Sequence, residues 1–349
     1  MYYINENIRH LNRIFDQNSR EGYLRLDLNE NPGGLPEEFI SSILSDVDSE
    51  FVAKYPETKE FTEKLAAFID VKPDEICLTN GSAEAIRHII EVYTQPGGKI
   101  VSVAPSYAMY AVYAKMYGRE HVSVPYNKNM EVTAQDIIDK IDDDVDLVVV
   151  LNPNNPIGDV HSNEDLERII EAAQKHYATV LIDEAYFYFY PNSFVEYAKK
   201  NKHVFLTRTF SKLFSLAGCR LGYVVGQAEG ISLIQKACTP HNVNGFGMKF
   251  AQAIIEEKMI DSMVKEQLEG KAYLVRSLEE NGYLVNAREG NFIFVKPKTD
   301  AKSLTAKLKE HKILVKYYDN EMLGEFIRIT TGAKDIMEKF INVLFEIDK

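Results

Sequence analysis

The chain of 349 residues carries 52 acidic against 40 basic side chains, a formal net charge of −12, and is 45% hydrophobic. That balance describes a globular protein and excludes a nucleic-acid groove, which needs clustered Lys and Arg against phosphates, while leaving room for a locally basic pocket. Three scattered cysteines without CxxC spacing (Cys77, Cys219 and Cys238) predict reduced cytoplasmic thiols, with neither a disulfide frame nor a metal site.

From the N-terminus, "MYYINENIRHLNRIFDQ" is polar and lacks the apolar core of a signal peptide. No later run approaches the ~18 apolar residues of a membrane span, so no membrane partner is expected. Five short Val/Ile/Leu-rich runs follow: "EICLTN", "KIVSV", "LVVVLN", "TVLIDE" and "HVFLTR". Each has the length of a buried parallel strand. Helical patterns lie between them. In "SAEAIRHIIEVYTQPGG", Ile86, Ile89, Ile90 and Tyr93 repeat at helical spacing until Pro96-Gly97-Gly98 ends the run. "SNEDLERIIEAAQKHY" behaves likewise, with Ser162 or Asn163 as its cap. The acidic "DDDVD" at 142–146 reads as a solvated turn before a strand.

This alternation predicts an α/β domain around a mostly parallel sheet. Near residue 250 the texture changes to a long helical stretch, "FAQAIIEEKMIDSMVKEQLEGKAYLVRSLEENG", and then to short strands at "FIFVKP", "ILVKYY" and "FIRITT". The expected division is an N-terminal arm over 1–29 that packs with the small domain, a large domain over 30–250, and a smaller α+β domain over 251–349.

Ligands of open parallel sheets bind beyond the carboxyl ends of the strands. Those ends carry Asn155 in "NPNNPIG", Asp183 and Tyr186 in "DEAY", and Thr209, Ser211 and Lys212 in "TFSK". The interval is 28 residues from Asn155 to Asp183 and 29 from Asp183 to Lys212, each about one strand-helix-strand step of ~30 residues. An amide, a carboxylate and a lysine therefore converge on one rim. At a fourth strand end Gly81 and Ser82 open a helix, whose free N–H groups suit a phosphate. This set fits a planar anionic cofactor with an aldehyde that lysine captures as a Schiff base, and a ring nitrogen that needs a carboxylate partner.

The motifs "NENIRHL", "LDLNENP", "KYPE", "TNGSAEAI", "PSYAMY", "NPNNPIG", "DEAY", "TFSKLFSLAGCRLGY", "PHNVN" and "IRITTG" run in order along nearly the whole chain. In this the chain resembles the fold-type I pyridoxal-phosphate aminotransferases, and among them the histidinol-phosphate aminotransferases. The resemblance implies an aminotransferase that uses pyridoxal 5'-phosphate and no metal. It moves an amino group between a small anionic, phosphorylated amine or amino acid and a 2-oxo acid. Lys212 is then the Schiff-base lysine and proton carrier, Asp183 the partner of the ring nitrogen, and Asn155 and Tyr186 the partners of the ring oxygen. Tyr107 stacks on the ring. The backbone of Ser82 and Ala83, with Thr209, Ser211 and Arg220, holds the phosphate. Tyr55 reaches that phosphate from the neighbouring subunit, implying a homodimer with shared sites. Arg328, Lys316 and Asn29 face the substrate.

The chain departs from the family pattern at four places. Ala83 replaces an acidic residue, Ile157 a hydroxyl residue, Lys316 an arginine, and Phe15, on a loose alignment, a tyrosine. Two other readings stay open on this evidence. One is an amino-acid O-phosphate decarboxylase on the same fold and cofactor. The other is a non-catalytic ligand-binding regulator, for which the acidic chain offers no DNA-binding module. A nicotinamide dehydrogenase is excluded, since no GxGxxG follows any of the strands.

Overall fold

The apolar runs become strands of two separate sheets in the computed structural model, which describes residues 2–11 and 19–349. Along the chain the strands are β1 (Leu24–Leu26), β2 (Ile76–Thr79), β3 (Lys99–Ala104), β4 (Glu120–Pro125), β5 (Val145–Leu151) and β6 (Thr179–Asp183). They continue as β7 (Val204–Thr209), β8 (Gly222–Val225), β9 (Leu284–Asn286), β10 (Phe292–Lys296), β11 (Ile313–Tyr317) and β12 (Ile327–Thr330).

Among the described residues the larger sheet has seven strands in the order β2-β8-β7-β6-β5-β3-β4. The run from β7 to β4 is parallel, and β8 is antiparallel to both of its neighbours. The central strands are covered on both faces: Val148, Val180 and Leu206 are fully buried, which is why they read as unbroken apolar runs rather than alternating ones. The helix Ser82–Tyr93 buries Ile86, Ile89 and Ile90 completely, and Tyr93 closes it by donating to Gly230 O. The helix Asn163–Lys175 is capped by Ser162, whose hydroxyl accepts from Asp165 N.

The smaller sheet runs β1-β11-β12-β10-β9 over a second core that includes Leu274, Leu304, Ile329 and Phe340. Strand β1, from the N-terminal segment, joins it parallel to β11. The long helical stretch is in fact two helices, Gly245–Glu256 and Ile260–Glu280. Lys258, at φ +54°, turns the chain between them. The Lys258 and Met259 amides return to Ile255 O and Ile254 O, a paired C-terminal capping pattern formed here without glycine and therefore silent in the composition.

The acidic turn at 142–146 is a surface feature. Lys99 Nζ pairs with Asp142 at 2.8 Å and Asp144 at 3.1 Å, and Asp143 pairs with His176. Among the described residues no group of His, Cys, Asp and Glu could hold a metal, and no helix is long and apolar enough to cross a membrane. Cys77 and Cys238, scattered in the sequence, meet in space with their sulfurs 3.7 Å apart, unbridged.

Candidate active site

A cleft of about 630 Å³ opens between the carboxyl ends of β5, β6 and β7 and strands β11 and β12 of the smaller sheet. Every candidate site residue except Tyr55 lines it. Tyr55 lies elsewhere, 75% exposed, with its ring stacked on His241 at a centroid distance of 4.4 Å. Phe15 lies outside the described residues.

Asp183 ends β6, where the pairing Leu151↔Asp183↔Thr207 sets it level with the end of β5 and two residues short of the end of β7. It is 2% exposed and takes part in no ion pair among the described residues. Oδ2 accepts from Tyr110 OH at 2.8 Å and Oδ1 from Ala185 N at 3.1 Å. Burial pushes its carboxyl up to about 6 against these hydrogen bonds. A carboxylate held dry, oriented and without a counter-ion is suited to a cationic ligand in the cleft.

Directly beneath, Glu184 and Arg208 form an ion pair whose side chains are 1% and 6% exposed. Arg208 Nε donates to Glu184 at 2.8 Å, and its guanidinium lies 3.7 Å from the Phe187 ring centroid. Glu184 also accepts from Phe194 N at 2.6 Å. A buried pair with its remaining hydrogen bonds filled is rigid, because either partner alone would be a costly unpaired charge. It fixes the "DEAY" turn that carries Asp183 and Tyr186.

Lys212 follows β7 and is half-buried, its Nζ donating to Leu28 O at 3.0 Å. Burial first, and the Arg328 charge second, lower its ammonium to about 8. Lys212 thus lines the cleft beside Leu28.

One end of the cleft is formed by the junction of Gly81, Ser82 and β8. Gly81 has φ +78°, and a Cβ there would fall 2.4 Å from Arg220 Nη2. A Cβ on Gly222 would fall 2.5 Å from Ser82 N, so this glycine lets β8 pass close to the helix start, while the positive φ of Gly81 favours glycine there. Arg220, in the left-handed region at φ +51°, donates to Ser211 Oγ at 3.3 Å. Thr209 Oγ1 in turn donates to Ser211 Oγ at 3.0 Å. The result is a cradle of backbone N–H, hydroxyl and guanidinium groups.

A hydrogen-bond network ties the two sheets across the cleft. Arg328 Nη1 donates to Asn155 Oδ1 and to Tyr318 OH, both at 2.7 Å, and Nη2 to Asp27 O at 2.6 Å. Its Nε is buried without a partner, a donor left over for an anion. Asn29 Nδ2 donates to Tyr186 OH at 2.9 Å and to Asn155 Oδ1 at 3.3 Å. Lys316 sits directly across from Arg328 in the β11–β12 pairing and is exposed to the cleft.

Sequence reasoning missed three contributors. Tyr110 shares a motif with Tyr107, and its position three residues on was the available signal. Tyr318 was hidden in the "KYY" end of a strand, and the Asp27 carbonyl has no side-chain signature at all. Ile157, where the family pattern has a hydroxyl, is 2% exposed and packs in the core. Its loop is pinned instead by Asn154, which donates to Tyr126 OH at 2.7 Å and Pro105 O at 3.1 Å.

Comparison with known proteins agrees with this geometry. The profile of the family "Aminotransferase class I and II" matches residues 21–344. A histidinol-phosphate aminotransferase of Caldanaerobacter subterraneus subsp. tengcongensis is 32% identical over 328 residues, covering 93% of this chain and 92% of the relative. The histidinol-phosphate aminotransferase structure from Clostridium acetobutylicum is 27% identical with a TM-score of 0.82, covering 93% of this chain and 99% of that one. The Sinorhizobium meliloti enzyme, solved in complex with pyridoxal-5'-phosphate, superposes with a TM-score of 0.88 at 20% identity, over 99% of this chain and 97% of that one. The chain belongs to the class I and II aminotransferases and is a pyridoxal-phosphate-dependent transaminase.

Proposed function

We propose that this transaminase acts on a small amine or amino acid bearing a phosphate, of the histidinol-phosphate type, with a 2-oxo acid as its second substrate. The observation that carries the reading is the cross-strand pair of cations, Arg328 and Lys316, at the cleft's outer side, with Arg328 Nε lacking a partner. The names of the relatives support the same substrate class.

The residues fit the cofactor. The Gly81–Ser82 cradle, with Ala83, Thr209, Ser211 and Arg220, would hold its phosphate, and Asp183 its ring nitrogen. Asn155 and Tyr186 would hold its ring oxygen, and Tyr107 would lie against its ring. When bound, pyridoxal phosphate supplies an aldehyde and an electron sink.

The chain's own groups then do the following. Lys212 Nζ, with its ammonium lowered to about 8, has a usable fraction of free amine near neutral pH and accepts and returns a proton at that atom. A cation beside Asp183 draws its carboxyl down from about 6, so the buried group stays ionised and holds a proton on its partner. Tyr110 and the Ala185 amide keep it aimed. Asn29 holds the Tyr186 hydroxyl in place, and Arg328 and Lys316 bind and orient the substrate anion.

The assembly is proposed to be a cytoplasmic homodimer. The exposed Tyr55, away from its own cleft, supports its reaching a neighbour's phosphate cradle.

The test is a half-reaction screen in which the yellow holoenzyme is mixed with histidinol phosphate, histidinol and phosphoserine, and conversion of the cofactor's absorption band is followed. Conversion by histidinol phosphate at far lower concentration than by histidinol is the expected result. Equal response to the two would remove the phosphate from the reading. Carbon dioxide release from phosphoserine without use of a 2-oxo acid would replace transamination by decarboxylation. Lys316→Ala is expected to raise KM for the phosphorylated amine about tenfold, the scale of one charge-assisted contact at a solvated site, with cofactor loading unchanged.

A further inference from the structure

Outside the cleft, one group of reactive side chains has no part in transamination. Cys77 lies within β2, paired with Val224 of β8 and 4% exposed. Cys238 follows the last residue of the helix Ala228–Ala237, in extended backbone at φ −70°, ψ 147°, and is half-exposed. Both residues border a separate cleft of about 490 Å³, and their sulfurs lie 3.7 Å apart. His88, 5% exposed on the helix Ser82–Tyr93, completes the group. Its Nδ1 is 3.3 Å from Glu91 Oε2, while Nε2 is 3.9 Å from Glu84 Oε1 and buried without a hydrogen-bond partner.

We propose that Cys77 and Cys238 are a peroxide-reactive thiol pair, with Cys238 the attacking sulfur and Cys77 the resolving one, and that hydroperoxides convert the pair to a disulfide.

The division of labour follows from geometry. A disulfide needs its sulfurs at about 2.05 Å, so one of them must travel. Cys77 is held by the strand ladder. Cys238 stands just beyond a helix end, where a side-chain rotation meets little resistance, and it faces the cleft through which a small peroxide arrives. Electrostatics favour the same assignment. Cys77 first, and His88 second, hold the Cys238 thiol well below its ordinary range, and Cys238 together with burial holds Cys77 far above it. His88 is held above its own range by Cys238 first, then by Glu91 and Glu84. Cys219 supplies the internal contrast. It is also half-exposed, but among the described residues its sulfur hydrogen-bonds to no thiol or imidazole, and burial pushes its thiol up.

In the first step the Cys238 thiolate attacks one peroxide oxygen. An S–O bond forms, the O–O bond breaks, and the departing alkoxide, or hydroxide in the case of hydrogen peroxide, takes up from solvent the proton the thiol gave up on ionising and leaves as alcohol or water. In the second step the Cys77 sulfur attacks the sulfenic sulfur, the S–S bond forms, the S–O bond breaks, and the hydroxide leaves as water with the Cys77 proton. Two thiols lose two electrons and the peroxide gains them; a dithiol reductant reverses the change by exchange.

The test uses reduced holoenzyme, a small excess of hydrogen peroxide, and alkylation under denaturing conditions followed by non-reducing peptide mapping. The expected result is a linked pair of peptides containing Cys77 and Cys238, with Cys219 still alkylated and the link removed by dithiothreitol. Cys77→Ser should halt at a sulfenic acid on Cys238, trapped by dimedone. Cys238→Ser should leave Cys77 unreacted. His88→Gln should slow formation of the link roughly tenfold through a smaller thiolate fraction. Wild-type protein that keeps all three thiols free under these conditions overturns the proposal. So does oxidation of Cys219 as fast as Cys238. Neither outcome depends on a variant folding.

Discussion

Lys212→Ala is expected to lower turnover by roughly 10⁴-fold, the upper range for loss of a positioned acid–base group, while the protein stays folded. Lys212→Arg should do no better, because a guanidinium keeps its proton and offers no free amine. The variants also separate chemistry from stability. The native ammonium is lowered to about 8 from an ordinary 10.5. Between those values the unfolded chain binds the proton that the folded chain has lost. Stability of the cofactor-free protein therefore rises with pH through this window, and the burial penalty is fully present below it. Lys212→Ala should lack that rise and be no less stable than the parent near pH 7. Denaturant unfolding of both proteins at pH 7, 8, 9 and 10 checks the sign. A large loss of stability in the alanine variant at pH 7 would mean that the lysine is a structural anchor.

Asp183→Asn should lower turnover by roughly 10²- to 10³-fold, as loss of a pre-oriented charge in a water-excluded site does. The amide is isosteric: its Oδ1 can still accept from the Ala185 amide, while its Nδ2, in place of Oδ2, donates to a Tyr110 hydroxyl turned to accept, so the fold and the cleft persist. What would be lost is the negative charge proposed to keep a proton on the ligand facing it. The expected signature is a fall in kcat with cofactor still bound and an altered absorption spectrum of the bound cofactor. Tyr110→Phe, which leaves the carboxylate but frees its orientation, should cost much less and shift the pH profile. Full activity in Asp183→Asn would remove this carboxylate from the chemistry.

The large sheet was legible because its central strands are buried on both faces, and such strands write themselves as unbroken apolar runs. The short strands were not. β1 has three residues, and β4 is an exposed edge interrupted by His121 and Ser123. The break at Lys258 was invisible because a lysine occupies the left-handed position that composition assigns to glycine. At the site, the residues at strand ends were readable because topology alone brings Asn155, Asp183 and Lys212 to one rim. The supports beneath them were not. The Glu184–Arg208 pair looks like two ordinary charges until both are found buried against each other. The same holds for Cys77 and Cys238, which are 161 positions apart along the chain.

We propose the amine at position 212 as the point at which this chain holds its cofactor. Borohydride reduction of the purified holoenzyme, followed by digestion and mass mapping, tests it most directly. One modified peptide is expected, "LFSLAGCR" preceded by the uncleaved Lys212, carrying the reduced pyridoxyl group. Label on any other lysine, Lys271 or Lys316 for instance, with Lys212 unmodified, would contradict it.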